Sequence, residues 1–253
     1  MPRRSVSLIA ARSLRNGLER ELWDCRCRMD AGQQDVILTV FRPGSLETVN
    51  TNLPPDLVSE KCFLAMSELP GLGIPTPVPL GYATVGEEAA VLYTKVEKTE
   101  WACGTRMKAA CILACLHNLQ ESALSRRLQK LVRLSDPLEC RTTGGLAPRG
   151  KEDRLVHGDY FSKNVLPVAD GLCIIDWETF GRGDPMWDLG FLIGADRNVS
   201  DEEAEAVIAE YGATATVDRP RLMWHRRRWS DFWKARDDGA ASRTGGPGDR
   251  QRT

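Results

Sequence analysis

Histidine is scarce in this chain: three in 253 residues, at positions 117, 157 and 225. Transition-metal sites usually recruit several imidazoles, so a metal hydrolase built on His157, Asp159, Asp176 and Asp184 is the weaker reading of its acidic residues. The eight cysteines include Cys25 and Cys27, two apart, and Cys111 and Cys115, four apart, but no Cys-x-x-Cys pair and no Cys/His quartet. That removes a zinc ribbon and a disulfide framework and leaves buried thiols in a reducing compartment. An excess of one charge is missing as well. The net value is −1, which offers no bulk attraction for nucleic acid or an anionic membrane. No apolar run approaches the length of a membrane span. The stretch from Ser5 to Ala11, behind Met1-Pro2-Arg3-Arg4, is broken by Arg12 too soon for an export signal. A cytoplasmic protein is expected.

What is present is an ordinary globular composition, 42% hydrophobic and 27% charged, with length for a sizeable core and one or two domains. The informative stretch runs from Leu155 to Leu192. Asp170-Gly171 lies between the apolar runs Val165–Val168 and Leu172–Ile175, a strong short-range hairpin signal. Asp159 and Asn164 then sit on the loop entering one strand, and Asp176 just past its partner, so a hairpin of that length brings an acid, an amide and a second acid to one end. Phosphoryl transfer from a nucleotide needs such a set. One carboxylate accepts the proton of the attacking hydroxyl, and an amide oxygen and another carboxylate hold Mg²⁺ on the phosphates. In the kinase catalytic loop an Asp is followed five residues later by an Asn, with a separate Asp beyond. Asp159, Asn164 and Asp176 keep that pattern.

The His157-Gly158-Asp159 start, Asn164, Ile174-Ile175-Asp176-Trp177-Glu178, Gly183-Asp184-Pro185 and Asp188-Leu189 together resemble the aminoglycoside phosphotransferase family. That family is similar to choline kinases and shares the bilobal protein-kinase-like fold. The resemblance implies an α+β chain with a small β-rich, nucleotide-binding N-lobe over residues 1–96 and a mainly helical, catalytic and acceptor-binding C-lobe over 97–236. It implies ATP and Mg²⁺ as cofactors and a small-molecule hydroxyl acceptor, aminoglycoside-like or another alcohol. It makes Asp159 the catalytic base and Asn164 and Asp176 the Mg²⁺ ligands, with His157 and Asp188 in support and Asp188 bracing the catalytic loop. Gly17 falls in a loop over the phosphates, Glu60 on the helix that pairs with a phosphate-binding lysine, and Tyr93 to Val96 at the hinge that meets adenine. Lys163, beside Asn164, is a candidate phosphate contact.

One departure stands out. Family members place a lysine or arginine on the strand read from Val36-Ile37-Leu38-Thr39-Val40-Phe41, and in the natural register this chain has Thr39 there. Arg42 is the obvious substitute, but side chains alternate across a strand, so it faces away from Thr39 unless a bulge intervenes. Arg26 or Arg28 on the preceding strand are the other candidates, and one of the three is expected near Glu60, facing Asp176. A catalytically impaired member that binds nucleotide or a partner is the alternative that Thr39 motivates. Elsewhere, a helix is expected over residues 56–69, capped by Asp56 and stopped by Pro70-Gly71. Ile74 to Leu80, with three prolines, reads as an extended edge segment, residues 105–120 as a buried helix, and Ser200-Asp201-Glu202-Glu203 as a capping box. The aromatic and basic residues from Trp224 to Trp233 read as a packed C-lobe helix rather than an RNA surface. From Asp237 to Thr253 the composition suggests a disordered tail.

Overall fold

The computed structural model describes residues 7–16, 20–30, 32–43, 53–135, 153–196 and 198–244. Five antiparallel strands form the first part: β1 (Ser7–Asn16), β2 (Arg20–Met29), β3 (Gly32–Phe41), β4 (Pro79–Val85) and β5 (Glu88–Thr94), in the order β1-β2-β3-β5-β4. The β-branched run of β3 is central, paired with β2 on one side and β5 on the other. β4, which Pro79 opens at the end of the proline-rich run, takes an edge, where a missing donor costs little. One helix, α1 (Pro55–Glu68), packs on this sheet through Val58, Cys62, Ala65 and Met66, the i, i+4, i+7, i+8 spacing of one helical face. Asp56 does not cap it. The N-cap is Pro54, whose carbonyl receives the Leu57 and Val58 amides, and Asp56 lies in the first turn, where a carboxylate favours the helix dipole.

The second part is mainly helical. The helices are α2 (Thr105–Asn118), α3 (Arg126–Leu134), α4 (Pro185–Gly194), α5 (Asp201–Gly212) and α6 (Arg219–Thr244). Four short strands build the platform of the motif region: β6 (Arg154–Val156) with β9 (Gly181–Gly183), and β7 (Val165–Val168) with β8 (Gly171–Ile174). The β7–β8 hairpin turns at Ala169-Asp170, one residue earlier than the dipeptide suggests, and Gly171 opens β8 at a φ of +140°. Ser200 caps α5 by accepting the Glu203 amide, and Ala204, Val207, Ile208 and Tyr211 form its buried face. A single hydrophobic cluster runs from Phe41 and Val91 of the sheet through α1 and α2 to Leu189 and Leu222.

Helix α6 lies against α4 through aromatic rings. Trp229 stacks on Phe191 at a centroid distance of 3.8 Å and meets Trp187 edge-on at 4.9 Å. The helix also continues to Thr244, past Asp237, where composition suggested a structureless tail. Helical hydrogen bonds are local, and Ala240-Ala241 are strong helix formers, so a segment without core residues can prolong an anchored helix.

Candidate active site

Strand β6 delivers the chain into the loop His157–Asn164, where Gly158 takes φ +89°, a conformation that favours glycine. Asp188, in the first turn of α4, holds this loop from beneath. Its fully buried carboxylate accepts the backbone amides of His157 (2.7 Å) and Gly158 (2.8 Å), and His117 Nε2 lies 3.3 Å away. The His157 Nδ1 accepts the Asp159 amide, so its Nε2 is the protonated nitrogen and donates to the carbonyl of Ile175 at 2.9 Å. Burial pushes the imidazole pKa down and keeps it neutral. His157 therefore ties the loop to the end of the hairpin.

That tie gathers the three acceptor groups. The Asn164 side-chain nitrogen donates to the Asp159 carbonyl (2.9 Å) and to Asp159 Oδ2 (2.7 Å), while its own backbone carbonyl accepts the Ile175 amide (2.9 Å). With the nitrogen committed, Asn164 Oδ1 is the amide atom suited to a cation. Next along the chain, Asp176 sits at φ +76°, alone among the described non-glycine residues in the left-handed region. Backbone strain of this kind clusters at functional sites, and Asp is one of the few residues that tolerate it. Burial, reinforced by the nearby Asp176 carboxylate, raises the Asp159 pKa to about 7, against the opposing pull of Asn164 and Arg20.

The cation facing this site is Arg20, which the sequence reading passed over. Its guanidinium forks onto Asp176, with Nη2 2.5 Å from Oδ2 and Nη1 on Oδ1, and Nη1 also reaches Glu178. Burial disfavours its charge, but the Asp176 carboxylate outweighs that and holds the pKa above its ordinary value. The signal was present in the strand register. Counting outward from Met29 opposite Gly32 places Arg20 opposite Phe41 and Leu22 opposite Thr39. Directly opposed residues share a face, so Arg20 stands on the Thr39 side of the sheet.

The other expected cations lie elsewhere. Arg42 points to the far face, bound to Glu21 (2.7 Å) and Glu88 (3.0 Å), as strand alternation requires without a bulge. Arg26 pairs with Asp35, and Arg28 is exposed at the other end of β2. Glu60 meets none of them, because it lies on the side of α1 that faces α3 and binds Arg127. Lys163 is exposed, with its ammonium 5.5 Å from the centre of the Trp233 ring rather than in the site. Tyr93 is the penultimate residue of β5, opposite both Ile37 and Pro79, so its backbone belongs to the sheet and its ring enters the cleft, the hydroxyl 3.2 Å from Thr39 Oγ1. Val96 follows in the irregular segment after β5, and Gly17 is outside the described residues. Asp184 takes no part in a metal cluster. It caps α4 and binds His225 and Arg221, and no group of three His, Cys, Asp or Glu suited to a metal occurs among the described residues. Thr39, Phe41, Cys62, Tyr93 and Asp176 enclose only about 10 Å³, room for about one water.

Residues 112–228 match the model of the phosphotransferase enzyme family. That stretch contains the motif that carries the resemblance. Thiamine kinase of Salmonella heidelberg is 33% identical over 105 residues, 41% of this chain, and the chain spans about a third (32%) of the length of that curated relative. An aminoglycoside-3'-phosphotransferase of type VIII superposes at a TM-score of 0.58 with 18% identity, covering 90% of this chain and 93% of its own. A choline/ethanolamine kinase family protein from Mesorhizobium loti superposes at 0.52 with 15% identity, covering 91% and 87%. The fold is therefore the bilobal, protein-kinase-like α+β fold of these phosphotransferases. No described helix is long and apolar enough to cross a membrane.

The residues present fit a divalent cation of the hard, oxygen-preferring kind. Asp176 and Glu178 already collect a positive charge, that of Arg20, and the donor set offered by Asn164 and Asp176 is all oxygen.

Proposed function

We propose that the protein transfers the γ-phosphoryl group of ATP to a hydroxyl of a small molecule. The observation that carries this reading is the convergence of Asp159, Asn164 and Asp176 through the Asn164–Asp159 and Ile175–Asn164 hydrogen bonds. Asp159 takes the proton of the acceptor hydroxyl on Oδ1, since Oδ2 is held by Asn164, and a pKa near 7 suits a base that works at neutral pH. The acceptor oxygen then forms a bond to the γ-phosphorus as the bond to the β-phosphate oxygen breaks and ADP leaves. Asn164 and Asp176 would hold Mg²⁺, which when bound neutralises phosphate charge. Asp188 and His157 fix the loop so that Asp159 does not have to be ordered at each turnover. The relatives' names, covering thiamine, aminoglycosides and choline or ethanolamine, put a hydroxyl-bearing small molecule first among acceptors.

The test is ADP release with Mg²⁺-ATP across a panel of thiamine, choline and aminoglycosides, alongside nucleotide titration. Asp159→Asn is expected to abolish turnover with little change in ATP affinity, and Asp176→Ala to weaken Mg²⁺-dependent ATP binding. Wild-type turnover in the first variant, or unchanged ATP affinity at low Mg²⁺ in the second, would sink the assignment. A second reading, a nucleotide-binding member without turnover, draws on Thr39, which is hydrogen-bonded to Tyr93 where the family carries a cation. It predicts ATP binding with no ADP release for any acceptor in the panel.

A further inference from the structure

We propose that Arg20 is the phosphate-facing cation of this site, and that without nucleotide it occupies Asp176 and Glu178 in competition with the divalent metal. The inference rests on the phosphotransferase reading, but its second half concerns only Arg20, the two carboxylates and the metal. Phosphoryl transfer spreads negative charge over oxygens that a fixed cation must meet, and Thr39 supplies none. Arg26, Arg42 and Lys163 are engaged away from the site, and Lys61, fully buried on α1, donates to Ser135 Oγ at 2.9 Å. Arg20 alone among the described cations makes an ion pair with Asp176.

Its position suits a residue that changes partners. Arg20 opens β2, so its backbone is anchored by pairing with Phe41. A guanidinium offers the same planar fork to a carboxylate and to a phosphate. The side chains of Arg20, Asp176 and Glu178 are only 13%, 15% and 7% exposed. Two acids this sheltered need a counter-charge at all times: Arg20 when the site is empty, the metal when nucleotide draws Arg20 to its phosphates. The fork of Arg20 engages both oxygens of Asp176, so Arg20 must leave Asp176 before a metal can be ligated there.

The two halves predict opposite shifts for one substitution. In Arg20→Gln, Mn²⁺ added without nucleotide should bind on the order of tenfold more tightly than in wild type, because its competitor for Asp176 is gone. In the same variant Mg²⁺-ATP should bind on the order of tenfold more weakly. Mn²⁺ is read by electron paramagnetic resonance, ATP by calorimetry, and folding by circular dichroism. Arg20→Lys, which keeps the charge without the fork, guards against a folding defect and should fall between wild type and Arg20→Gln on both scales. Weaker or equal Mn²⁺ binding in a folded Arg20→Gln overturns the competition, and undiminished ATP affinity overturns the phosphate role. If wild type binds Mn²⁺ but no ATP, the phosphotransferase reading fails instead, while the metal competition is still scored by Mn²⁺ alone.

Discussion

Replacing Asp159 with asparagine should remove the base and yet make the metal-free protein more stable at alkaline pH. The Asp159 pKa stands at about 7 against an ordinary 3.8, through burial first and the Asp176 carboxylate second. Below about pH 4 the carboxyl is protonated whether the chain is folded or not. Between about pH 4 and 7 the folded protein keeps a proton that the unfolded chain has released, so stability falls as pH rises through that window, and above it the whole cost is present. A rise of about 3 pKa units at about 1.4 kcal/mol each bounds the cost near 4 kcal/mol. Solvent at the partly exposed carboxylate and its coupling to Asp176 reduce this to about 2 kcal/mol, or about 4–8 °C in Tm for a domain of this size. Asparagine at position 159 still presents an oxygen to the Asn164 amide, so that hydrogen bond is kept. Thermal melts in chelator should therefore show Asp159→Asn gaining on wild type from about pH 4.5 to 7.5, with the gap level above. A variant no more stable than wild type at about pH 8, or a gap that ignores pH, would show that Asp159 is not held near neutrality by its surroundings.

Two further substitutions probe the frame of the site. Asp188→Ala strips the buried acceptor from the His157 and Gly158 amides and from His117, and should cost about 3 kcal/mol or more in urea unfolding; a loss under about 1 kcal/mol would mean the loop is braced by something else. Gly194→Ala would place a Cβ 2.6 Å from the Arg226 carbonyl oxygen, and a Cβ added at Gly190, one turn earlier, would lie as close to the His225 Cβ. Backbone cannot yield as a flexible side chain does, so a loss of about 1–3 kcal/mol in stability is expected. An unchanged Tm would argue against this close approach of α4 and α6.

Local chemistry made much of this protein legible in its sequence. Asp159, Asn164 and Asp176 were readable because a loop and a hairpin of fixed length connect them, and short connections leave few ways to place their ends. The faces of α1 and α5 followed from helical periodicity, whereas a bracing place for Asp188 came only from the family resemblance. Arg20 was not readable in that way. It lies 156 residues from Asp176, in a segment whose composition says only strand, and its partnership depends on the β2–β3 register together with the docking of the sheet against the catalytic hairpin. Glu60 shows the same limit from the other side: its helix was placed correctly, but α3 decided which neighbour its carboxylate would meet. Sequence specified the acids and the amide, because their geometry is carried by local backbone. Tertiary packing chose the cation that answers them, because that choice is made between distant segments by burial and charge.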